Sequence, residues 1–338
     1  ISPFNYPLFI SATKVIPIIL SGSSFILKPS SLTPITPLML TRILELSGLP
    51  KESFSTIVVG GKDINEVLSH KKIKAISLTG STETGKEVLK NAGIKFYHFE
   101  LGGKDPAIVL KDADIKDVVK KIVRAIVTFA GQRCDAIRLI LVEGVIYEEF
   151  KKELINEVKK YEPKNPLEDR DALIGPVITE DSVKHLKDCY EDALKNGAKA
   201  LTEFKAKDNY VWPTILEVDK DIVHKLKAFN EDVFGPFSML IKVSDEEEAV
   251  KIANKCRFGL DASVFGKDLA RVRKVARKLE VGAVFINEYP RHGIGYYPFG
   301  GMKDSGIGRE GIGYSVISLT TTKSIIYNLK GSKVWEYI

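Results

Sequence analysis

The residues best suited to chemistry are a thiol and a carboxylate in two short, glycine-containing segments. Cys134 directly follows the turn Gly131-Gln132-Arg133, at the end of a predicted helix. Glu100 lies between two apolar residues and precedes the pair Gly102-Gly103. In one apolar pocket, such a thiol could attack an electrophilic carbon while the carboxylate moves a proton. This chemistry requires that the intervening elements bring the two segments together.

Both residues also have a plain structural interpretation. A cysteine at a helix end can be an inert buried thiol, and Glu100 can serve a structural contact. The apolar neighbours of Glu100 nevertheless favour a raised pKa, because burial disfavours the charged form. Cys189 and Cys256 lie in helical patterns, and we interpret both as packed thiols.

The bulk composition is that of a globular protein with two domains. The chain has 338 residues, of which 44% are hydrophobic and 28% charged, and a single core rarely grows beyond about 250–300 residues. The net charge of +6 is spread along the chain, whereas a nucleic-acid-binding surface would cluster its lysines. The most apolar window, Val15 to Leu20, is interrupted by Pro17 and is far shorter than the roughly 20 residues that cross a bilayer. We therefore expect neither nucleic acid nor a membrane as a partner.

The cysteine and histidine patterns indicate a reducing, cytoplasmic environment and no metal site. The three cysteines have no paired spacing, and the five histidines have no ligand spacing. A disulfide framework or a zinc cluster would need such spacing. The abundance of lysine and glutamate is a weak sign of a thermophile.

Short apolar runs alternate with helical patterns and indicate an α/β fold with a parallel sheet, because such alternation implies right-handed crossovers. The predicted strands are 24–27, 55–59, 75–79, 139–142, 238–243, 262–265 and 284–287. The predicted helices are 37–46, one through 67–68, 115–129, 147–160, 181–196, 246–254 and 269–279. Ligands of such sheets bind beyond the carboxyl ends of the strands, where Lys28, Gly60 and Gly80 lie.

We place a domain boundary just after Gly103, with a cleft between two α/β domains. A β-branched run from Ser318 to Tyr327 predicts a last strand. Such a strand would be an exposed edge, which favours pairing with another subunit in a dimer or tetramer. The chain opens without an initiator methionine or a signal peptide, so we expect that it begins in mid-domain.

The segment Gly80 to Lys86 is similar to a phosphate-binding P-loop. Glu87 follows, however, where that loop needs Ser or Thr to hold magnesium. A helix N-terminus that attracts one phosphate group is the better interpretation, and a plain strand-to-helix turn is the alternative. Lys28 is either a solvated loop lysine or a donor to a nucleotide.

Together these segments resemble the aldehyde dehydrogenase superfamily. The resemblance rests on short motifs in the family's order and approximate spacing, from the first residue to about Lys330. The motifs are Pro3-Phe4-Asn5-Tyr6-Pro7, Lys28-Pro29-Ser30, Gly80-Ser81-Thr82, Glu100-Leu101-Gly102-Gly103, Gly131-Gln132-Arg133-Cys134, Phe234-Gly235-Pro236 and Pro298-Phe299-Gly300-Gly301. The resemblance implies a Rossmann-type cofactor domain over 1–103, without the family's N-terminal part. It also implies an α/β catalytic domain over 104–302 and a return segment with an oligomerisation strand over 303–338.

The resemblance also implies roles for the thiol and the carboxylate. Cys134 would attack an aldehyde to give a thiohemiacetal, and loss of hydride would give a thioester. The Asn5 amide and the Cys134 backbone N–H would hold the oxyanion, an effect worth roughly 3–4 kcal/mol per donor. Glu100 would be the general base for the water that hydrolyses the thioester. Asp135 follows the nucleophile, and we expect its side chain to point away from the thiol.

For the cofactor, the resemblance implies a set of binding residues, namely Lys28, Ser31, Gly80, Ser81, Asp232 and Phe234. NAD-preferring relatives usually carry a glutamate at the position of Ser31, which repels a 2′-phosphate. The sequence therefore predicts NADP, with NAD less favoured. Asp232 stands where the family usually has the longer glutamate, so its contact with the nicotinamide ribose is in question.

Within the superfamily, the chain looks like the non-phosphorylating glyceraldehyde-3-phosphate dehydrogenases, which oxidise that aldehyde irreversibly to 3-phosphoglycerate in glycolysis. The similar segments are Gly131 to Cys134 and Asn287 to Gly295. Arg133, Arg291 and Tyr6 would bind the phosphorylated aldehyde, since arginine suits phosphate. Alternatively, Arg133 pairs with an acid of the fold. Two other functions remain open: oxidation of another small aldehyde, such as lactaldehyde or succinate semialdehyde, and an inactive subunit of the same fold.

Overall fold

The computed structural model describes residues 1–292 and 296–327 as an α/β fold. The helices are α1 (Pro7–Leu20), α2 (Ile35–Leu46), α3 (Asn65–Ser69), α4 (Thr82–Ala92), α5 (Ile115–Val127), α6 (Tyr147–Val158), α7 (Glu180–Lys195), α8 (Lys227–Asn230), α9 (Glu246–Lys255), α10 (Leu269–Lys278) and α11 (Tyr314–Ser318). Three short 3₁₀ helices are Lys51–Ser53, Thr128–Gly131 and Val223–Lys225.

The strands divide between the two halves of the chain. They are β1 (Phe25–Leu27), β2 (Phe54–Thr56), β3 (Ala75–Thr79), β4 (Phe96–Glu100), β5 (Asp105–Val109), β6 (Ile137–Glu143), β7 (Lys199–Ala200), β8 (Ala206–Lys207), β9 (Tyr210–Val211), β10 (Thr214–Glu217), β11 (Phe237–Val243), β12 (Phe258–Gly259), β13 (Asp261–Phe265), β14 (Ala283–Ile286), β15 (Met302–Lys303) and β16 (Gly306–Ile307). The predicted alternation of strands and helices is confirmed.

In the first half, β1 pairs with β2 and β3 pairs with β4, both in parallel. Residues 1–2 join the two pairs: the Thr79 N–H donates to the Ile1 carbonyl at 3.1 Å, and the Ser2 N–H donates to the Lys28 carbonyl at 3.0 Å. The strand β16 returns to pair antiparallel with β4. Lys28, Gly80 and Glu100 therefore all lie at the carboxyl edge of these strands.

The second half is built on a seven-stranded sheet in the order β14-β13-β5-β6-β11-β10-β7. Its pairs are parallel except for β10 with β7. Helix α5 packs against it because its apolar residues recur every three or four positions: Val118, Val119, Ile122 and Ile126 are all buried. Asp114 caps its first turn by accepting from the Asp117 N–H. This helix leads directly into the segment that carries Cys134.

The apolar cores are separate on the two sides of Gly103. One large cluster of buried residues contains members from Ala107 to Leu279. Two smaller clusters contain buried members from Ile64 to Leu101 and from Val15 to Phe54. The division into domains over 1–103, 104–302 and 303–338 remains a prediction, and its first boundary falls between these cores.

The last predicted strand has no counterpart within the described single chain. The proposed strand from Ser318 to Tyr327 is absent from the described chain: α11 ends at Ser318, and residues 321–327 have no regular structure. A strand needs a neighbour to pair its backbone groups, and within residues 1–292 and 296–327 this segment has none. Pro17, in the most apolar window of the sequence, lies inside α1. The predicted homo-oligomer remains a prediction, and residues 328–338 lie outside the described part.

The described helices are all too short or too polar to span a bilayer.

Candidate active site

Six of the predicted site residues line one cavity of about 350 Å³ between the two halves of the chain. They are Asn5, Tyr6, Glu100, Arg133, Cys134 and Arg291. Other lining residues include Thr79, Asp135, Tyr289, His292 and Glu310. The thiol and the carboxylate singled out from the sequence therefore face the same space.

A strained turn presents Cys134 to this cavity. The 3₁₀ segment Thr128–Gly131 follows α5, and Phe129 and Ala130 adopt positive φ values of 59° and 53°. Such angles are costly for residues other than glycine and persist only when the surroundings hold them. The guanidinium of Arg138, which is buried, donates to the carbonyls of Gly131 and Gly235. This bridge ties the turn to the neighbouring loop.

The segment that follows Glu100 packs directly on the nucleophile segment. A Cβ atom at Gly103 would lie 2.2 Å from the Cys134 carbonyl oxygen, so no larger residue fits. From the other side, the buried Asn5 amide donates to the Gln132 carbonyl at 3.1 Å. Asn5 thus lies beside the peptide that carries the thiol, with a second amide hydrogen left to donate.

The surroundings of Cys134 disfavour its thiolate. Burial raises the pKa of the half-buried thiol well above its usual value, and the carboxylates of Asp135, Asp105 and Asp261 raise it further. The nearby Arg133 opposes this shift. At neutral pH the resting residue is therefore a protonated thiol, which has to lose its proton before it can attack.

Asp135 is turned toward Arg133. Its two carboxylate oxygens accept from the guanidinium at 3.0 and 2.9 Å, and one also accepts from the His292 backbone N–H at 3.1 Å. Arg133 donates as well to the Pro290 carbonyl at 2.8 Å. Three of its five N–H donors are thus in use. Arg133 therefore pairs with an acid of the fold, which was the alternative interpretation of the sequence.

Glu100 is almost completely buried, with 3% of its surface exposed. In the described part of the chain, neither carboxylate oxygen has a hydrogen-bond partner. Burial, and then the charge of Glu310, raise its pKa well above the usual value, whereas Lys14 and Arg309 oppose the shift. The raised pKa makes the ionised Glu100 a stronger base than an ordinary glutamate, which suits it to accept a proton from water.

Glu310 has counter-charges that Glu100 lacks. It lies 3.7 Å from the Lys14 ammonium and 3.8 Å from His292. Burial alone would raise its pKa, but Lys14 and His292 hold that pKa far below its usual range. Among the cavity's described carboxylates, Asp135 and Glu310 thus have cationic partners.

Arg291 and Tyr6 lie nearer the surface of the cavity. Arg291 is exposed, and it approaches Glu288 at 3.4 Å. The guanidinium groups of Arg133 and Arg291 lie 6.0 and 5.7 Å from the Tyr289 ring centre. Tyr6 stacks on Phe129 at 4.6 Å, and burial raises the pKa of its hydroxyl to about 12. The predicted segment that ends with Gly293-Ile294-Gly295 lies partly outside the described residues.

Four of the predicted cofactor residues, namely Lys28, Ser31, Gly80 and Ser81, follow the carboxyl ends of β1 and β3, outside the cavity. Lys28 follows β1, where burial lowers its pKa, and in the described chain its ammonium has one long hydrogen bond, to Pro29 at 3.4 Å. Ser31 is exposed. Ser81 caps α4 by accepting from the Thr84 N–H at 3.1 Å, and the preceding Gly80 N–H donates to the Glu100 carbonyl at 3.1 Å.

Asp232 and Phe234 lie next to the segments that carry Glu100 and Asn5. A Cβ atom at Gly102 would come within 2.7 Å of the Asp232 carboxylate. Burial raises the pKa of Asp232, and the ammonium of Lys104 opposes the shift. Phe234 packs edge-to-face on Phe4 at 5.8 Å. Both residues thus contact segments that flank Glu100 or Asn5.

The sequence interpretation missed the residues that surround Glu100, among them His98, Lys14 and Glu310. His98 has a signal in the sequence, since residues two apart on a strand share a face. Lys14 and Glu310 have none, because they are 296 positions apart and meet only in the fold.

One cluster of polar residues lies away from the cavity. His185 contacts the Asp232 carbonyl at 3.2 Å, Cys189 at 3.9 Å and Glu231 at 3.7 Å. These contacts hold α7 against the turn that carries Asp232.

Comparison with known proteins agrees with the fold. The model of the aldehyde dehydrogenase family matches residues 1–325. A lactaldehyde dehydrogenase from Methanococcus maripaludis is 38% identical over 96% of this chain and 70% of its own length. An NADP-dependent glyceraldehyde-3-phosphate dehydrogenase from Streptococcus equinus is 34% identical over 97% of this chain and 68% of its own length.

Solved structures give the same answer. The structure of NADP-dependent glyceraldehyde-3-phosphate dehydrogenase from Bacillus halodurans complexed with NADP has a TM-score of 0.90 and 34% identity. The match covers 95% of this chain and 66% of that one, so the chain spans about two thirds of its length. The resemblance noted in the sequence is confirmed: the chain belongs to the aldehyde dehydrogenase family.

Proposed function

We propose that this protein oxidises an aldehyde that carries an anionic group, with NADP as oxidant, through a covalent intermediate on Cys134. The observation that carries the proposal is the cavity that Cys134 shares with Glu100. In the described part of that cavity, Glu100 is the carboxylate without a permanently charged partner. It is therefore the group best able to accept a proton there.

The residues at the sheet edge fit a dinucleotide. The Lys28 ammonium has donors to spare, and the N-terminus of α4 offers free N–H groups and a favourable dipole for a phosphate. Ser31 adds no negative charge near Lys28, which supports NADP over NAD. Asp232 and Phe234 would hold the nicotinamide end. When bound, this cofactor accepts the hydride that the substrate loses.

The chain's own groups account for the remaining steps. Cys134 loses its proton to solvent water and attacks the aldehyde carbon, and the second Asn5 amide hydrogen donates to the oxyanion that forms. Once the hydride has left, a thioester remains on the sulfur. Glu100 then takes a proton from water, which attacks the thioester and releases the carboxylate product. Because its pKa is raised, the Glu100 carboxylate is a stronger proton acceptor than an ordinary glutamate.

Two guanidinium groups beside Tyr289 support an anionic substrate. Arginine binds phosphate through parallel hydrogen bonds, so glyceraldehyde 3-phosphate is the first candidate, with 3-phosphoglycerate as product. Arg133, however, already uses three of its donors within the fold. This observation, together with the 38% identity to a lactaldehyde dehydrogenase, favours lactaldehyde, which carries no anionic group, as the alternative substrate.

Arg291→Ala tests the choice between the two aldehydes. Because Arg291 is exposed and its guanidinium has weak contacts with the described residues Glu288, at 3.4 Å, and Tyr289, at 5.7 Å from the ring centre, the variant should fold normally. If the phosphate binds there, KM for glyceraldehyde 3-phosphate rises roughly ten- to thirtyfold, while KM for lactaldehyde changes less than about twofold. The matched control is Arg42→Ala, an exposed arginine paired with Glu45. Equal changes for both aldehydes would remove the phosphate assignment.

A further inference from the structure

A row of polar side chains on β3 and β4 runs from the interior to Glu100. His98 and Glu100 are two residues apart on β4, so both point to the same face. In the parallel register, Ser77 pairs with His98 and Thr79 pairs with Glu100. The two strands thus place an imidazole directly behind the carboxylate that faces the cavity.

The contacts along this row are close. The Ser77 hydroxyl lies 3.1 Å from His98 Nδ1, and His98 Nε2 lies 3.3 Å from Glu100 Oε1. His98 is 5% exposed and Glu100 is 3% exposed. A Cβ atom at Gly308 would lie 3.1 Å from His98 Cδ2, the ring carbon next to Nε2. The return segment therefore packs closely against the imidazole.

The tautomer of His98 follows from these neighbours. Burial lowers the pKa of His98 to about 4, so the ring is neutral near pH 7. A neutral imidazole has one N–H and one lone pair. With the proton on Nδ1, the Nε2 lone pair would face a carboxylate oxygen and repel it. With the proton on Nε2, Ser77 donates to Nδ1 and the Nε2–H is on the side of Glu100 Oε1, although at 3.3 Å these two atoms form no hydrogen bond in the structure.

We propose that His98 is a positioning residue that donates its Nε2–H to the Glu100 carboxylate and holds it in place for proton transfer. A donor to the ionised form makes that form easier to reach. Removal of His98 therefore shifts the titration of Glu100 to higher pH. The kinetic part of this inference rests on the proposed function, whereas the contact itself does not.

Other charges also act on Glu100 and must be kept constant. They lie on several elements: Lys14 on α1, Asp261 on β13, and Arg309 and Glu310 after β16. Substitutions at His98 leave all four in place. The alternative is that His98 only fills space beside Gly308. In that case any side chain of similar volume would serve equally well.

The direct test follows the carboxyl stretching band of Glu100 in infrared spectra recorded across a pH series, with Glu100→Gln to assign the band. We expect His98→Leu to move the titration up by roughly one to two pH units, the size of a hydrogen bond to a charged group. His98→Gln, which keeps an amide donor, should stay close to wild type. His70→Leu, at an exposed histidine, is the matched control.

Two results would overturn the proposal: a folded His98→Leu variant with the wild-type titration, or a His98→Gln variant that shifts as far as His98→Leu. If His98→Leu fails to fold, Ser77→Ala replaces it. Loss of the Ser77 donor should move the band in the same direction by a smaller amount, and an unchanged band would contradict the proposal.

The second readout is the acid limb of kcat, measured with the aldehyde panel. It should move with the infrared titration in His98→Leu and return in His98→Gln. If no aldehyde is oxidised at any pH, the proposed function fails while the infrared result still decides the role of His98.

Discussion

Replacement of Asp135 by asparagine should have two effects: it should lower the free energy of unfolding and lower the pKa of the Cys134 thiol. The Arg133–Asp135 pair has side chains only 7% and 5% exposed, and its two hydrogen bonds measure 3.0 and 2.9 Å. Asp135→Asn keeps the shape but leaves the guanidinium without a counter-charge. Breaking a buried pair in this way costs about 3–5 kcal/mol, so the free energy of unfolding should fall by that amount in denaturant titration.

The same change should make the thiol more reactive. Burial is the largest cause of the raised Cys134 pKa and Asp135 is the next, while Arg133 opposes both. Removal of the carboxylate charge therefore stabilises the thiolate. The Cys134 pKa should therefore fall, because a nearby negative charge that disfavours the thiolate has been removed.

The assay is the rate of alkylation by iodoacetamide against pH, with Cys134→Ser to subtract the buried Cys189 and Cys256. The inflection for Asp135→Asn should lie at lower pH than for wild type. The double variant Arg133→Met/Asp135→Leu should regain most of the lost stability, because two apolar side chains replace the pair. An unchanged inflection in a folded Asp135→Asn variant would refute this electrostatic account of the thiol.

Two further predictions concern packing and cofactor choice. Gly103→Ala should destabilise the protein by about 3 kcal/mol or more and slow alkylation of Cys134, because its methyl group would lie 2.2 Å from the Cys134 carbonyl. Gly61→Ala, where nothing lies within 4 Å, should change the stability by less than about 0.5 kcal/mol. Ser31→Glu should lower kcat/KM for NADP by roughly ten- to a hundredfold relative to NAD, whereas the exposed Ser47→Glu should leave the ratio unchanged.

The sequence alone was sufficient to locate the main helices and strands and to single out Cys134 and Glu100. Helix α5 could be located from its apolar periodicity, and its observed end at Val127 is two residues before the predicted one. Cys134 and Glu100 stood out because each is a reactive group within a glycine-containing segment. Their meeting depends on contacts between remote segments, such as Gly103 against Cys134.

What escaped prediction depends on tertiary contacts and on charge pairing. Pro17 lies within α1 although proline removes one helical hydrogen bond. The strand expected from Ser318 required a pairing partner that the described chain does not supply. Arg133 has a side chain that could bind phosphate, but in the structure its guanidinium pairs with the nearby Asp135. No local pattern distinguishes these two uses of an arginine.

The proposed mechanism requires Cys134 as the nucleophile and Glu100 as the base that activates water to release the product. The most direct measurement is one turnover of Glu100→Gln with aldehyde and NADP, followed both by NADPH absorbance and by intact-protein mass. We expect a single burst of NADPH and a stable acyl adduct on Cys134, with wild type turning over repeatedly and Cys134→Ser giving neither burst nor adduct. Multiple turnovers by Glu100→Gln at the wild-type rate, or a burst from Cys134→Ser, would contradict the account.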